Sequence, residues 1–268
     1  MKVFHVCNTA GVASIIAKYM DRLFGTESLV VCRKVFDPYG LTTYGEVWDC
    51  GANEFALKCL LLARKFDIIH VHSFDKLVPL LKFLYPKKPV ILHYHGTDIR
   101  GKWALKKRYW SKAEAILYST KDLLNDETPK DAIYMPNPVD TEIFYSCAIK
   151  PQPKTAFHFS YGADDLAREY SKKYGLKLTI HDVRKHGVIP HLRLPKVLCN
   201  FEYYVDVKRV GQETASAMSK TGLEALACGL KVIRWDGSVI IGLPLENRPE
   251  NISKKIFDLY LEIRRPKK

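Results

Sequence analysis

Two histidine pairs are the first residues in this sequence whose type and spacing could support chemistry. His70 and His72 lie in Asp-Ile-Ile-His-Val-His, and His93 and His95 lie in His-Tyr-His-Gly-Thr-Asp. Side chains two positions apart on a strand share one face, so either pair could chelate a metal ion. Neither pair has a carboxylate or thiolate at a spacing typical of zinc sites, so we expect no metal. We expect each pair to lie near a strand end, where polar side chains converge on a cleft.

The segment His95-Gly-Thr-Asp-Ile-Arg100 is the more informative of the two, because a neutral histidine, an acid and an arginine all follow one strand. A glycine, Gly11, stands where the first strand turns into the first helix. Helix N-termini offer N–H groups that suit phosphate, so Gly11 indicates either a ligand contact or an ordinary turn.

The sharpest signal is the segment from Ser219 to Gly229. Small residues precede a helix that we expect to carry Glu224 in its first turn, and Gly229 ends that helix. The carboxylate could merely stabilise the helix dipole. It could equally accept hydrogen bonds from a ribose diol while the preceding N–H groups hold a diphosphate. The residues alone favour neither interpretation.

The elements that must position these residues alternate between short apolar runs and amphipathic stretches, which is typical of parallel sheets with crossover helices. We predict an α/β fold of two doubly wound, Rossmann-like domains facing across a cleft, the second one reduced. The predicted parts are a first domain over 1–148, a linker over 149–155, a second domain over 156–246, and a C-terminal helix over 247–268 that packs back toward the first domain.

Composition restricts the class of protein. The chain has 268 residues, a net charge of +13 and no apolar run long enough to cross a membrane. The charge favours phosphates, nucleic acid or an anionic membrane surface without choosing among them. The seven cysteines form no CxxC pair, and a chain of this length needs no disulfides, so we expect a soluble, reduced, cytoplasmic protein. The two glutamines fit a thermophilic source.

Several motifs together, in this order, resemble glycosyltransferase family 4, whose members have the GT-B architecture. The resemblance spans roughly residues 1–235, and no single motif in it is decisive. The resembling pieces are the Met1-Lys-Val-Phe-His-Val start with Ala10-Gly-Val12, Asp67-Ile-Ile-His-Val-His72, His95-Gly-Thr-Asp98, Met135-Pro-Asn-Pro-Val-Asp140 with Phe144, and Thr221-Gly-Leu-Glu-Ala-Leu-Ala-Cys-Gly229.

The resemblance implies transfer of a sugar from a nucleotide-sugar, most simply a UDP- or GDP-sugar, with retention of configuration and without metal or cofactor. It implies catalytic residues His95 and Asp98 near the transferred sugar. The acceptor-side or cleft candidates are His72, Arg100 and Asn137. The implied donor-binding residues are Gly11, Lys208, Arg209, Lys220, Thr221, Gly222 and Glu224.

The sequence departs from the family pattern at three places. The second glutamate of the family falls on Ser216, and Glu213 nearby is out of register. The Arg and Lys that the family places after the first strand of the second domain are missing, so Lys208, Arg209 or Lys220 would have to grip the diphosphate. The second domain is short, and Pro138 stands where a glycine is common.

A basic segment accompanies two tryptophans, and three rival functions stand beside sugar transfer. Lys102, Lys106, Lys107, Arg108 and Lys112 accompany Trp103 and Trp110, which suits either a helix on an anionic membrane that carries a lipid-linked acceptor or a solvated face above core tryptophans. The rival functions are a non-catalytic nucleotide-sugar-binding protein, a nucleotide-sugar epimerase of the same fold, and a nucleic-acid binder. We expect no specific nucleic-acid partner, because no base-reading module is recognisable.

Overall fold

The computed structural model describes residues 1–146 and 150–265, which form two compact units. The first unit comprises Met1–Pro138 and the chain from Pro249 onward, and the second is Val139–Arg248. The second unit therefore begins upstream of the predicted linker over 149–155. Part of that linker is a strand that begins at Gln152, and Cys147 lies outside the described residues.

A seven-stranded, entirely parallel sheet forms the first unit, in the order β3-β2-β1-β4-β5-β6-β7. Its strands are β1 (Lys2–Val6), β2 (Glu27–Arg33), β3 (Glu46–Trp48), β4 (Ile68–His72), β5 (Val90–Tyr94), β6 (Ala115–Tyr118) and β7 (Ile133–Tyr134). The helices that accompany them are α1 (Val12–Phe24), α2 (Ala52–Ala63), α3 (Leu77–Leu84) and the single turn α4 (Lys107–Trp110).

The central strands of this sheet are buried on both faces. Every residue of β4 and β5 is buried, which explains their nearly continuous runs of isoleucine, valine and leucine. Histidines interrupt these runs at alternate positions, so that all of them lie on one face.

The second unit has a smaller, five-stranded sheet in the order β14-β13-β10-β8-β9, parallel except for β14 against β13. The strands of this sheet are β8 (Gln152–Phe159), β9 (Lys177–His181), β10 (Phe201–Val205), β13 (Lys231–Ile233) and β14 (Val239–Ile241). A separate two-stranded hairpin is formed by β11 (Arg209–Val210) and β12 (Glu213–Thr214). The helices of the second unit are α5 (Asp164–Lys173), α6 (Val183–His186), α7 (Leu194–Leu198) and α8 (Lys220–Ala227).

The last helix, α9 (Pro249–Arg264), belongs to the first unit. Its buried face carries Ile252, Ile256 and Tyr260, which share a hydrophobic cluster with Ile16 and Met20 of α1. The rings of Phe24 and Phe257 stack with their centroids 4.4 Å apart. Burial of this apolar stripe completes the core on one side of the seven-stranded sheet.

The basic segment does not form an amphipathic helix along its length, which was one of the two arrangements that its sequence allowed. Only α4 is helical there, and Trp103 is completely buried, with its Nε1 donating to the carbonyl of Leu123 over 2.7 Å. Lys106 pairs with Asp75 at 2.6 Å. The tryptophan is a core residue, because its large apolar ring gains most from burial. Membrane association stays a prediction, and no helix among the described residues is long and apolar enough to span a bilayer.

The expectation of a fully reduced chain is wrong. Cys199 is disulfide-bonded. In the described part of the chain, the free cysteines are Cys7, Cys32, Cys50, Cys59 and Cys228. The cytoplasmic location inferred from cysteine usage stays a prediction.

Replacement of Trp103 by alanine should lower the free energy of unfolding by about 3–5 kcal/mol, because it opens a cavity in the core and leaves the Leu123 carbonyl unpaired. Urea denaturation followed by circular dichroism measures this loss. Lys112→Gln, on the exposed part of the same segment, is the matched control and should change stability by less than about 0.5 kcal/mol. Equal, small effects of both substitutions would show that Trp103 is not a core residue.

Candidate functional site

The first unit has a pocket at the carboxyl ends of the adjacent strands β1 and β4. The order of the strands reverses here, because β2 and β3 lie on one side of β1 and β5 to β7 lie on the other side of β4. Doubly wound sheets bind their ligands at this reversal. The pocket has a volume of 460 Å³ and is lined by the loop after β1 (7–10), the end of β2, the start of α2 and residues 72–74. Its walls include Cys32, Arg33 and Phe55.

The loop after β1 is fastened by its own side chains. Gly11 adopts φ +73°, and a Cβ there would lie 3.4 Å from the Leu41 carbonyl oxygen, so a glycine suits this turn. Asn8 accepts the backbone N–H of Ser14 at 3.0 Å and donates to the Ser14 hydroxyl at 2.9 Å. Asn8 thus occupies an N–H of the first turn of α1 that a phosphate would otherwise use.

Asp98 anchors the loop after β5. Its carboxylate accepts the backbone N–H groups of His95, at 2.9 Å, and Gly96, at 2.6 Å. It also accepts the Ser73 hydroxyl at 2.6 Å, and Ser73 in turn accepts the Thr9 hydroxyl at 2.9 Å. These bonds join the loops after β1, β4 and β5, so the geometry favours Asp98 as a residue that positions His95.

His95 lies at the centre of this edge and is half-buried. Its Nε2 is 3.0 Å from Nδ1 of His72, and its Nδ1 is 2.8 Å from the Ser119 hydroxyl. Burial lowers the pKa of His95 to about 4, although Asp98 and a hydrogen bond with Asn137 act in the opposite direction. The imidazole is therefore neutral at pH 7 and can exchange hydrogen bonds with a sugar. The structure brings His72, Asn137, Asp98 and His95 together, and their catalytic and cleft roles stay predictions.

Arg100 is engaged with a different partner. Its guanidinium pairs with the Asp122 carboxylate at 2.9 Å and donates to the Asp122 carbonyl at 3.0 Å. Arg100 therefore fastens the turn after β6.

In the second unit the chain reverses direction between β8 and β10, and Asp206 follows β10 directly. One Asp206 oxygen accepts the backbone N–H of Ser219 at 2.7 Å, and the Ser219 hydroxyl caps α8 by accepting the N–H of Gly222 at 2.9 Å. A Cβ at Gly222 would lie 2.5 Å from this carboxylate, which explains the glycine. Burial raises the pKa of Asp206, because the charged form is desolvated.

Glu224 lies one turn deeper in the helix than the sequence suggested. Because α8 begins at Lys220, Glu224 is in the second turn, and it is only 2 % exposed. Its Oε1 is 3.0 Å from Nε2 of His191 and 3.8 Å from Nζ of Lys220. Burial lowers the pKa of Lys220, and Glu224 and Asp140 oppose that shift. Sequence reasoning missed His191, which lies 33 positions from Glu224 in no recognisable motif.

The other predicted donor-binding residues differ in their surroundings. The Arg209 guanidinium pairs with Asp165 at 2.6 Å and donates to the Gly162 carbonyl at 3.2 Å, so it is already engaged. Lys208 follows β10, and Thr221 is the second residue of α8. Ser216, at the position of the missing glutamate, accepts a hydrogen bond from Arg234 through its carbonyl at 3.3 Å. The cation best placed at the start of α8 is Lys220.

His158 is a buried histidine beside this edge that the sequence analysis did not single out. Its Nδ1 is 2.8 Å from the Val205 carbonyl, and its Nε2 is 3.4 Å from Asp164. Burial lowers the pKa of His158, against the opposing effects of the Val205 and Asp164 contacts.

Comparison with known proteins adds the fold. No protein-family model and no curated protein sequence matches the chain. The structure of UDP-GlcNAc 2-epimerase from Neisseria meningitidis bound to UDP-GlcNAc is similar, with a TM-score of 0.53, 14% identity, and coverage of 97% of this chain and 92% of that chain. A putative UDP-N-acetylglucosamine 2-epimerase from Listeria monocytogenes has a TM-score of 0.51 at 14% identity, covering 97% and 88%.

A glycosyltransferase also appears among the similar structures. The spinosyn forosaminyltransferase SpnP has a TM-score of 0.48 and 11% identity, covering 98% of this chain and 91% of that chain. The chain has the α/β GT-B fold of the Neisseria and Listeria structures, whose TM-scores exceed 0.5, and this confirms the predicted fold class. Membership of glycosyltransferase family 4 stays a prediction.

The burial of His158 in the second sheet can be tested through the pH dependence of the free energy of unfolding. The unfolded chain takes up a proton as the pH falls through about 6.5, whereas the lowered pKa keeps folded His158 neutral. Its contribution to stability is therefore complete above that pH and declines by up to about 1.4 kcal/mol per pH unit below it. Relative to wild type, His158→Gln should flatten the stability profile between about pH 6.5 and 5. Urea denaturation at each pH measures the profile, and His186→Gln, at an exposed histidine, should leave it unchanged.

Proposed function

We propose that this protein binds a nucleotide-sugar and transfers its sugar to an acceptor. The observation that carries the proposal is the juxtaposition of Lys220, Glu224 and His191 at the start of α8, on the carboxyl edge of the second sheet. This arrangement of a cation and a carboxylate, which we name the α8 site, combines the groups that a diphosphate and a ribose need.

Lys220 is the candidate for the diphosphate. Its side chain is only 12% exposed, and burial lowers its pKa. A bound diphosphate would stabilise the charged form of Lys220, and the ammonium group would offset part of the negative charge of the diphosphate. This exchange would also stabilise the departing nucleotide in the transition state without a metal ion at the diphosphate.

Glu224 is the candidate for the ribose. His191 and Lys220 both face Oε1, and this fixes the orientation of the carboxylate. A carboxylate held in this way can accept hydrogen bonds from the two ribose hydroxyls. We infer that the pair with His191 orients Glu224 before the nucleotide arrives.

By resemblance to family 4, His95 is the candidate for contact with the transferred sugar, and Asp98 anchors its loop. The neutral imidazole suits a hydrogen bond to a sugar hydroxyl or to the departing oxygen. By resemblance to family 4, we propose transfer with retention of configuration. Donor base, sugar and acceptor are open to direct assay.

Epimerisation of the sugar in a nucleotide-sugar is a second candidate. Two structures of this fold, from Neisseria meningitidis and Listeria monocytogenes, are a UDP-GlcNAc 2-epimerase and a putative one. The α8 site would serve either reaction, because both begin with the same class of substrate. The two functions differ in whether an acceptor is required.

Nucleotide-sugars should stabilise the wild-type protein. At 100 times its dissociation constant a bound ligand contributes about 2.7 kcal/mol, which raises the Tm by several degrees. A thermal-shift screen with UDP-, GDP-, ADP- and dTDP-sugars measures this. Lys220→Gln should weaken nucleotide binding by about 1.5–3 kcal/mol through loss of a charged hydrogen bond, while Lys185→Gln, at an exposed lysine, should bind normally. Stabilisation that is the same in wild type and Lys220→Gln would place the nucleotide elsewhere.

Product analysis separates the two reactions. A transferase consumes the nucleotide-sugar in step with the acceptor, whereas an epimerase converts the sugar with no acceptor present. We expect nucleotide release from UDP- or GDP-sugars to rise with added acceptor lipids or glycans, and to persist in EDTA, when products are followed by NMR and mass spectrometry. Conversion of UDP-GlcNAc alone into its 2-epimer would instead establish the epimerase.

A further inference from the structure

Five imidazoles form a continuous row on one face of the first sheet, contributed by β1, β4, β5 and the residue after β5. Parallel register aligns His5 with His70 and His72 with His93, and His95 continues the row. The centroids of neighbouring rings lie between 4.1 and 5.5 Å apart. The sequence presented two separate pairs, but the sheet merges them and adds His5.

Four of these side chains are completely inaccessible to solvent: His5, His70, His72 and His93. Burial lowers the pKa of all four below the ordinary value, to about 4 in His5. Each ring is therefore neutral at pH 7 and carries one nitrogen lone pair. The neutral imidazole is the form that ligates metal ions.

Three nitrogens in this row lack an ordinary partner. His5 Nε2, His70 Nε2 and His93 Nδ1 are buried without a hydrogen bond to any described residue. The opposite nitrogen of His70 is held 2.6 Å from the Tyr260 hydroxyl of α9. Metal-ligating histidines usually have their second nitrogen fixed by such an outer partner, and a buried polar atom without a partner requires an explanation.

We propose that His5, His70 and His72 form a binding site for one divalent first-row transition-metal ion, represented by Zn²⁺. Each of the three offers one ring nitrogen, and these three atoms lie within 4.8 Å of one another. His5 Nδ1 and His72 Nε2 are 3.2 Å apart. Zn–N bonds of about 2.0–2.1 Å place tetrahedral ligands roughly 3.4 Å apart, so His5 and His72 already have ligand spacing. Ring rotation would have to bring in the His70 nitrogen, which lies within 4.8 Å of the other two.

The donor set selects the class of ion. Imidazole nitrogens suit Zn²⁺, Cu²⁺ and Ni²⁺, whereas Mg²⁺ and Ca²⁺ require oxygen ligands. His72 also lines the pocket at the carboxyl edge, so an ion would enter from that side as the buried ring moves. The ion would tie β1 to β4 and, through Tyr260, to α9. This inference lies beyond the proposed sugar transfer and does not rest on it.

Metal binding can be measured on tag-free, EDTA-treated full-length protein. Titration with Co²⁺, followed by its visible absorption, and competition with Zn²⁺ should give one ion per chain. Zn²⁺ should also raise the Tm. Zn²⁺ affinity should fall by at least about tenfold in His70→Gln and in His5→Gln, because each loses one ligand.

A surface histidine provides the matched control. His186 is exposed, and its ring centroid lies 5.3 Å from that of His181, so this pair could bind metal adventitiously. His186→Gln should keep the stoichiometry and affinity of wild type. If the buried variants fail to fold, the side-chain ¹⁵N resonances of wild type identify the ligands, and Zn²⁺ should shift those of His5, His70 and His72.

Two outcomes would overturn the site. One is wild-type protein that takes up no Co²⁺ or Zn²⁺ in a saturable way. The other is uptake that His186→Gln abolishes while the buried imidazole resonances stay in place. Either result would show that the row is only a chain of N–H···N hydrogen bonds. The outcome is independent of nucleotide binding, which concerns the α8 site.

Discussion

The parallel pairing of β1 with β4 is the constraint on which the first unit depends. It places the loop after β1 beside the loop after β4, and so permits the hydrogen bonds from Thr9 to Ser73 and from Ser73 to Asp98. The same register sets His5 against His70. A slip of one residue would turn each of these side chains to the opposite face, and the pocket and the imidazole row would be lost together.

Local patterns predicted the fold well, because the alternation of apolar runs and amphipathic stretches can be recognised from residues close together in the sequence. They also placed His95 and Asp98 in one loop, since three positions separate them. The row of five imidazoles could not be foreseen in this way. Its geometry depends on register between strands that are more than 60 positions apart in the chain, as His5 and His70 are.

Tertiary contacts also changed the interpretation of two residues that the sequence identified correctly as important. Glu224 seemed to be a first-turn acid, but the helix start at Lys220 and the distant partner His191 make it a buried, oriented carboxylate. Trp103 seemed equally suited to a membrane or to a core. Only the position of the Leu123 carbonyl, 2.7 Å from its indole nitrogen, decides between them.

The net charge of +13 does not describe the surroundings of individual cations, because some of them are paired with carboxylates. Lys106 and Arg209 each have a carboxylate partner at 2.6 Å, in Asp75 and Asp165 respectively. Such pairs reduce the local field near the cations that take part in them. Lys220 also has a carboxylate nearby, Glu224 at 3.8 Å, but burial outweighs that contact and lowers its pKa. A bound anion would favour the charged form of this lysine.

The place of α9 in the fold has a consequence for biosynthesis. The ribosome releases the strands of the first unit long before it releases Ile252, Ile256 and Tyr260. Until then, the face of α1 that carries Ile16 and Met20 lacks the helix that covers it. A nascent chain of about 200 residues would expose this stripe while its inserted second unit is still being made, which makes it a natural point of engagement for a chaperone.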